Sequence, residues 1–222
     1  MTGFIRRQPR SHILLFVGFA NLILILYALI VGGTTYKALP AASPSPSVKT
    51  ASKRNVINYR AEVSALAKSY TDRVTDACER YGIPEYTDLA MAMIEQESSG
   101  KPPDVMQADQ SPFNTEPPID SVSESINCGI QELKECLKLA KVKGPSNIKR
   151  IKLALQGYNY GYGYISWALE RDGGYTKDNA ALFSEIMKER HEYSIYGDPL
   201  YVPHVLRYYN KESEDKQNTP IS

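Results

Sequence analysis

A glutamate in the first half of the chain, Glu97, has the surroundings that an acid catalyst needs. If residues 90–100 are helical, one apolar stripe lies beneath it at spacings of three, four and seven residues, formed by Ile94, Met93 and Ala90. Because apolar neighbours weaken the solvation of a carboxylate, we expect a raised pKa for this group. A carboxylic acid that keeps its proton near neutral pH can act as a general acid.

The residues next to Glu97 leave two interpretations open. The sequence Ser98-Ser99-Gly100 ends the predicted helix and would leave the glutamate open to a cleft. Glu95 is two positions earlier and faces nearly the opposite side of the same helix, so only one of the two glutamates shares the apolar stripe. The alternative is an ordinary glutamate at a helix end that points into water, and further motifs are needed to decide between them.

Three segments after Glu97 carry amides and tyrosines. A proline-rich loop over residues 101–120 contains Gln107, and a Gly/Tyr-rich turn over residues 154–163 contains Asn159 among several tyrosines. Tyr201 belongs to a third block near the end of the chain. Aromatic rings offer flat apolar faces and amides offer hydrogen bonds, which are the two kinds of surface that sugars need. The alternative for each tyrosine is that it only packs its own turn.

Taken in order, four blocks resemble the lysozyme-like superfamily of soluble lytic transglycosylases and goose-type lysozymes. These blocks are Glu97-Ser98, Met106-Gln107, Ala154 to Gly161, and Tyr201-Val202. The chain is more closely similar to the lysozyme-like muramidase domain of Gram-positive cell-wall hydrolases, the group of conjugation-associated wall hydrolases and pneumococcal vaccine antigen A. The resemblance covers about residues 60–209 and implies a mostly α-helical, lysozyme-like fold.

The resemblance also implies a substrate and a role for each matching residue. The substrate would be the β-1,4 bond between N-acetylmuramic acid and N-acetylglucosamine in peptidoglycan glycan strands, and Glu97 would protonate the glycosidic oxygen. The residues expected to hold the sugars or to line the groove are Ser98, Gln107, Tyr158, Asn159 and Tyr201. The resemblance implies no cofactor.

A second catalytic carboxylate is harder to assign. Retaining and inverting glycosidases use two acids, whereas lytic transglycosylases use one and leave 1,6-anhydro ends. The acids of the loop after Glu97 are Asp104, Asp109, Glu116 and Asp120. Asp109, two residues past Gln107, is the candidate partner, although each of these acids is also explained as a solvated loop residue. The resemblance favours a muramidase, with a lytic transglycosylase and a non-catalytic peptidoglycan-binding scaffold as the alternatives.

The beginning of the chain predicts a membrane anchor. Residues 13–31 form an apolar run about as long as the hydrocarbon core of a bilayer is thick, and three arginines precede it. The positive-inside tendency then leaves residues 1–12 in the cytoplasm and the rest of the chain outside, facing the cell wall. A cleaved signal peptide is the alternative, with a weak cleavage region at residues 38–42. Residues 32–53, rich in Pro, Ser and Ala, predict an extended linker.

Residues 54–210 are the size of one ordinary domain and precede a polar tail, residues 211–222. The first 53 residues carry six basic and no acidic side chains, so the remaining residues carry 20 basic and 25 acidic ones, a net charge of about −5. An acidic domain is a poor candidate for binding nucleic acid.

Cysteine and histidine spacings indicate no metal site. The sequence favours three buried free thiols, although a disulfide from Cys78 to Cys128 or Cys136 is an alternative. His204 is the only histidine near a motif, and we expect it to be structural.

The elements that must position these residues are predicted to be helices. Apolar spacings and capping signals predict one long helix over residues 56–81 and six further helices. These six begin near Thr87 or Asp88, at Ser121, at Ser146 or Asn147, near residues 163 and 177, and at Asp198-Pro199. Residues 101–120 are the long irregular segment, and we expect a small loop or hairpin beside the cleft.

Overall fold

The computed structural model describes residues 59–211, and in this range the chain is mostly helical, as predicted. Its elements, in chain order, are β1 (Tyr59–Ala61), α1 (Ala65–Lys68), α2 (Thr71–Arg80), a 3₁₀ helix (Pro84–Tyr86), α3 (Thr87–Ser98), α4 (Val122–Leu139), α5 (Ile148–Tyr160), α6 (Tyr162–Asp172), α7 (Lys177–His191), α8 (Tyr201–Leu206) and β2 (Tyr209–Lys211).

Several of the segments interpreted from sequence lie outside the described residues. These are the cytoplasmic tail (1–12), the anchor (13–31), the linker (32–53) and all of the polar tail except Lys211, which ends β2. Within residues 59–211, no helix is both long enough and apolar enough to cross a bilayer.

The long helix predicted over residues 56–81 is wrong, because Ser64 interrupts it. The Ser64 side chain accepts a hydrogen bond from the backbone N–H of Ala67 at 3.3 Å and so begins the separate helix α1. The backbone N–H and the hydroxyl of Ser64 both donate to the Glu95 carboxylate, at 2.9 and 2.7 Å. This contact spans 31 residues, which is why the local apolar pattern does not reveal it.

The two strands join the ends of the described domain and do not form a local hairpin. β1 pairs with β2 in antiparallel register, with Tyr59 opposite Lys211 and Ala61 opposite Tyr209. The rings of Tyr59 and Tyr209 stack with their centroids 4.8 Å apart. The irregular segment predicted over residues 101–120 is confirmed, because residues 99–121, which follow α3, contain turns and bends but neither helix nor strand.

Helix α3 is the buried centre of the domain. Every residue from Leu89 to Glu95 is buried, and α3 packs against α1, α2, α8 and both strands. The apolar stripe predicted beneath Glu97 is therefore part of a helix that is enclosed on all sides. Gly100 follows it with φ +76°, where an added Cβ would lie 2.7 Å from the backbone nitrogen of Ala67, so this close approach requires glycine.

The other helix starts agree closely with the predicted capping signals. The Ser121 side chain accepts from the backbone N–H of Glu124 at 3.3 Å to begin α4, and Asn147 accepts from the backbone N–H of Arg150 at 3.4 Å to begin α5. Helix α7 begins where predicted, at Lys177, behind a capping box. Helix α8 begins at Tyr201, two residues after the predicted Asp198-Pro199 start.

The three cysteines, Cys78, Cys128 and Cys136, are buried free thiols, as predicted. Burial raises the pKa of the Cys78 thiol to about 11, so this group stays protonated at neutral pH.

Candidate active site

Glu97 lies where the buried helix α3 reaches the surface. The side chain is half-buried, and Ser99 then ends the helix in the left-handed conformation at φ +53°. The Oε1 atom of Glu97 accepts a hydrogen bond of 2.7 Å from the hydroxyl of Tyr201, a residue 104 positions away in the sequence. The fold therefore brings together two of the residues that were singled out from the sequence.

Tyr201 is well suited to hold a carboxyl group in one orientation. It lies in the first turn of α8 and only 2% of its surface is exposed. Because the ring is enclosed in the core, packing restricts the positions that its hydroxyl oxygen can take. The hydrogen bond that the phenol donates to Oε1 is short and directional, so it orients the carboxyl group of Glu97.

Ser98, which the resemblance assigns to the sugar-binding residues, lies inside the domain. Its hydroxyl donates to the backbone carbonyl of Val105 at 2.9 Å and accepts from the backbone N–H of Gly100 at 3.0 Å. The side chain is buried, with 7% of the residue surface exposed. Ser98 therefore links the end of α3 to the loop that follows and helps to keep the neighbouring Glu97 in place.

Two of the loop acids fold the loop itself. Asp104 accepts hydrogen bonds from the Ser125 hydroxyl at 2.7 Å and from the backbone N–H groups of Ala108 and Asp109 at 2.8 and 3.0 Å. The Oδ1 atom of Asp109 accepts from the backbone N–H of Ile119 at 2.9 Å. The carboxylates of Asp104 and Asp109 thus replace the hydrogen bonds that a helix or sheet would supply to this irregular backbone.

Asp109 remains the predicted second catalytic carboxylate. Its hydrogen bond from Ile119, however, already explains why an acid occupies this position. It is half-buried, whereas the other two loop acids, Glu116 and Asp120, are exposed.

Gln107 and Tyr158 both make hydrogen bonds to the backbone of the loop that follows α3. Gln107 is half-buried with φ +48°, and its side-chain amide donates to the backbone carbonyl of Asp104 at 3.0 Å. Tyr158 is fully buried, and its hydroxyl donates to the backbone carbonyl of Met106 at 3.0 Å. The structure therefore places the Tyr158 ring under the loop, in the core, where it cannot stack on a sugar.

Asn159 contacts the segment that leads into α8. Its half-buried side chain accepts a hydrogen bond of 2.7 Å from the backbone N–H of Asp198 through Oδ1. The oxygen of the amide that the resemblance assigns to sugar binding therefore holds the chain at Asp198, three residues before Tyr201.

The neighbouring tyrosines of the Gly/Tyr turn belong to an aromatic cluster between α5, α6 and α7. Tyr160 and Tyr164 are buried, and both rings lie within 5.5 Å of the Phe183 ring. Burial raises the pKa of both phenols, which stay protonated and donate to the backbone carbonyl of Ala180 and the side chain of Asn179. These rings fix the end of α5 and leave no face open to a ligand.

Sequence reasoning missed two contacts around the last turn of α3. Glu95 caps α1 through Ser64, as described above. Arg207, an exposed residue just after α8, donates to the side-chain oxygen of Gln96 at 3.0 Å. Each contact joins residues that are at least 31 positions apart, so spacing along the chain carries no signal for either. Within residues 59–211, no group of His, Cys, Asp and Glu side chains is arranged to hold a metal ion.

Known proteins share this fold and parts of this sequence. The chain is 34% identical over 140 residues to the bifunctional muramidase/DL-endopeptidase CwlT of Bacillus subtilis (strain 168), which covers 63% of this chain and 40% of CwlT. It is 31% identical over 133 residues to the membrane protein YocA of the same organism, covering 60% of this chain and 57% of YocA. It is 35% identical over 99 residues to pneumococcal vaccine antigen A of Streptococcus pneumoniae serotype 4, covering 45% and 47%.

The chain thus spans about half the length of the curated relatives that it matches. A crystal structure from Staphylococcus aureus subsp. aureus Mu50, described as similar to lipoprotein of the NLP/P60 family, superposes with a TM-score of 0.57 at 26% identity, covering 68% of this chain and 55% of that one. Residues 64–218 match the family model described as Lysozyme-like. The chain belongs to the lysozyme-like family.

Proposed function

We propose that this protein is a peptidoglycan hydrolase, a muramidase that cleaves the β-1,4 bond between N-acetylmuramic acid and N-acetylglucosamine, with Glu97 as the general acid. The observation that carries the proposal is the 2.7 Å hydrogen bond from Tyr201 to Glu97, at the surface end of a buried helix in a lysozyme-like domain. The relative CwlT, whose name states muramidase activity, supports the choice of substrate.

In the proposed reaction, Glu97 gives its proton to the glycosidic oxygen as the bond from that oxygen to the sugar carbon breaks. The sugar then carries oxocarbenium-like charge, and the leaving sugar departs as a neutral alcohol. Tyr201 holds Oε1 of Glu97 and so fixes the direction in which the carboxyl group presents its proton. Gln107, half-buried on the loop beside the end of α3, is the side chain that we assign to sugar binding.

A lytic transglycosylase is the second candidate, and the folding of the loop supports it. A muramidase that hydrolyses the bond uses a second carboxylate to direct water or to form a covalent intermediate. Asp104 and Asp109 both have carboxylate oxygens engaged with the loop backbone, which would hinder either task. In a transglycosylase the 6-hydroxyl of the substrate attacks instead, and no second acid is required.

The products distinguish these candidates. Purified cell wall is digested with the full chain, and the released muropeptides are weighed by mass spectrometry. Reducing ends indicate hydrolysis, and 1,6-anhydro ends, lighter by one water, indicate transglycosylation. If the wild-type protein releases neither product across wall types and pH values, the scaffold alternative replaces the enzyme.

Two variants complete this experiment. Asp109→Asn tests the second carboxylate: a catalytic role predicts that hydrolysis falls by about 10²–10⁴-fold. A role in folding the loop predicts lower stability and a similar rate in the folded fraction. Glu189→Gln, on the exposed surface of α7, is the matched control and should leave the products unchanged.

We further propose that the domain works on the outer face of the cell membrane, tethered by residues 13–31 and the linker that follows them. The apolar run and its preceding arginines support this location, as does the relative YocA, whose name describes a membrane protein. Protease added to intact cells from which the wall has been removed should digest the domain. Protection of the domain from that protease would place it inside and contradict the tether.

A further inference from the structure

Asp198, in the segment before α8, clamps the first turn of that helix with its carboxylate. The Oδ2 atom of Asp198 lies 2.6 Å from Nδ1 of His204, and Oδ1 accepts from the backbone N–H of Leu200 at 2.8 Å. Because an ionised carboxylate only accepts hydrogen bonds, Nδ1 of His204 carries the hydrogen in this pair. The two contacts lie on either side of Tyr201 in the sequence, so the carboxylate spans the turn that presents the phenol.

A clamp is needed there because α8 is very short. It has six residues, Tyr201–Leu206, and a helix of that length does not hold its shape by backbone hydrogen bonds alone. The backbone carbonyl of Asp198 also accepts from the N–H of Tyr201 at 3.1 Å, and the N–H of His204 donates to the carbonyl of Leu200 at 3.0 Å. Asp198 therefore sets the start of the helix through both its backbone and its side chain.

Asp198 is in turn fixed to the end of α5. Its backbone N–H donates to Asn159 at 2.7 Å, and its backbone carbonyl accepts from the side-chain amide of Gln156 at 3.0 Å. Gln156 is fully buried. Gly197 has φ +55°, and a Cβ there would lie 2.6 Å from Oδ1 of Asn159, so the close approach of the two segments requires glycine. The two amides thus connect the rigid helix α5 to Asp198.

We propose, on the basis of the function proposed above, that Asp198 and His204 are positioning residues for bond cleavage, which hold Tyr201 so that its hydroxyl meets the Glu97 carboxyl group. A continuous set of contacts supports this role, from α5 through Asn159 to Asp198, across the first turn of α8, and from Tyr201 to Glu97. Asp198 and His204 act only through Tyr201 and touch no substrate. His204, expected from sequence to be structural, becomes part of the catalytic geometry.

The first experiment measures kcat and KM on solubilised glycan strands with the full chain. His204→Ala removes the donor to Asp198 and should lower kcat by about tenfold, because a small displacement of an aligned catalytic group is costly in rate. KM should change little. His204→Asn keeps an N–H near the position of Nδ1 and should restore most of kcat. His191→Asn, at the end of α7, is the matched control and should behave as wild type.

A second measurement separates positioning from general support of the fold. If His204 acts through the Tyr201 hydroxyl, His204→Ala should cause no further loss of kcat in a Tyr201→Phe background. An equal loss of kcat in both backgrounds, at matched thermal stability, overturns the proposal. If His204→Ala does not fold, Asp198→Asn provides the same comparison, because its Oδ1 can still accept from Leu200 while the partner of His204 changes.

The third measurement does not depend on activity. The carbon-13 shift of the Tyr201 ring carbon that bears the hydroxyl reports its hydrogen bond to Glu97. The shift should move in His204→Ala and stay at the wild-type value in His204→Asn and His191→Asn. If the wild-type protein is inactive but the shift responds to the variants in this way, the proposed function is refuted and the positioning contact still stands. An unchanged shift in an active protein refutes the positioning alone.

Discussion

The two sides of the last turn of α3 each carry a glutamate, and the two side chains have opposite environments. Glu95 faces α1, has 9% of its surface exposed, and accepts hydrogen bonds from the backbone N–H and the hydroxyl of Ser64. Glu97 faces α8, is half-buried, and accepts from the phenol of Tyr201. The residue type is the same and the separation is two positions, so the partners decide the role.

The difference places a structural contact and the proposed catalytic contact on one helix. The Glu95 contacts satisfy a backbone group at the start of a short helix, which is a structural task that leaves the carboxylate enclosed. The Glu97 contact orients a half-buried carboxyl group at the surface end of the helix, where we propose that it acts on the glycan. We therefore expect changes at Glu95 to affect the free energy of unfolding and changes at Glu97 to affect the rate.

The largest expected effect is the loss of activity when Glu97 is substituted. Glu97→Gln keeps the shape of the side chain but removes the proton donor, so kcat should fall by about 10²–10⁴-fold. The melting temperature should stay close to that of the wild type. Glycan cleavage rates and calorimetry on the same preparations check both statements, and a variant that loses activity only because it unfolds would contradict them.

The next largest expected effect is the loss of stability when Glu95 is substituted. Glu95→Ala leaves the N–H and hydroxyl of Ser64 without their charged acceptor, and the free energy of unfolding should fall by about 2–3 kcal/mol. Urea unfolding measures this change. The folded fraction should retain most of its kcat, and a large loss of kcat at unchanged stability would reverse the roles assigned to the two glutamates.

Tyr201→Phe tests the partner on the catalytic side. The phenylalanine ring fills the same enclosed space, so stability should change little. Glu97 becomes a charged carboxylate as it gives up its proton, and a hydrogen bond to a charged group is worth about 1.5–3 kcal/mol. If Tyr201 keeps this bond in the transition state, its loss corresponds to a fall in kcat of about 10–100-fold. Steady-state kinetics gives the answer, and an unchanged kcat would mean that Tyr201 has no part in orienting Glu97.

Ser64→Ala tests the partner on the structural side and should have the smallest effect. The substitution removes the side-chain cap of α1 and one of the two hydrogen bonds to Glu95, and it keeps the backbone N–H bond. Loss of such a cap costs about 1 kcal/mol of stability. The unfolding midpoint should fall slightly while kcat stays unchanged. A fall in kcat as large as that for Tyr201→Phe would show that the two sides are coupled.

The same comparison explains which parts of the fold could be predicted from sequence. Helix starts that depend on local signals were predicted well, such as the cap at Ser121 and the start of α7 at Lys177. The predicted helix over residues 56–81 failed because Ser64 is held by Glu95 and because β1 pairs with a strand about 150 residues later. Apolar periodicity describes only neighbours along the chain, and these contacts are between distant segments.

The candidate active site could also be predicted only in part, because it too depends on contacts between distant segments. The resemblance singled out Glu97 and Tyr201, which the fold brings into contact. It also singled out Ser98 and Tyr158, but the structure places both inside, where they support the loop after α3. A motif shows which residue types occur together, whereas the burial of each side chain depends on packing between helices. The contacts of Asp198 were missed for that reason, since its partners come from α5 and α8.

The measurement that tests the central claim most directly compares two leaving groups in wild type and Glu97→Gln. One substrate is the natural glycan, whose leaving sugar must be protonated, and the other is an aryl glycoside of N-acetylmuramic acid, whose phenolate leaves without a proton. If Glu97 is the general acid, the variant should lose far less activity on the aryl glycoside than on the glycan. An equal loss on both substrates would contradict that role.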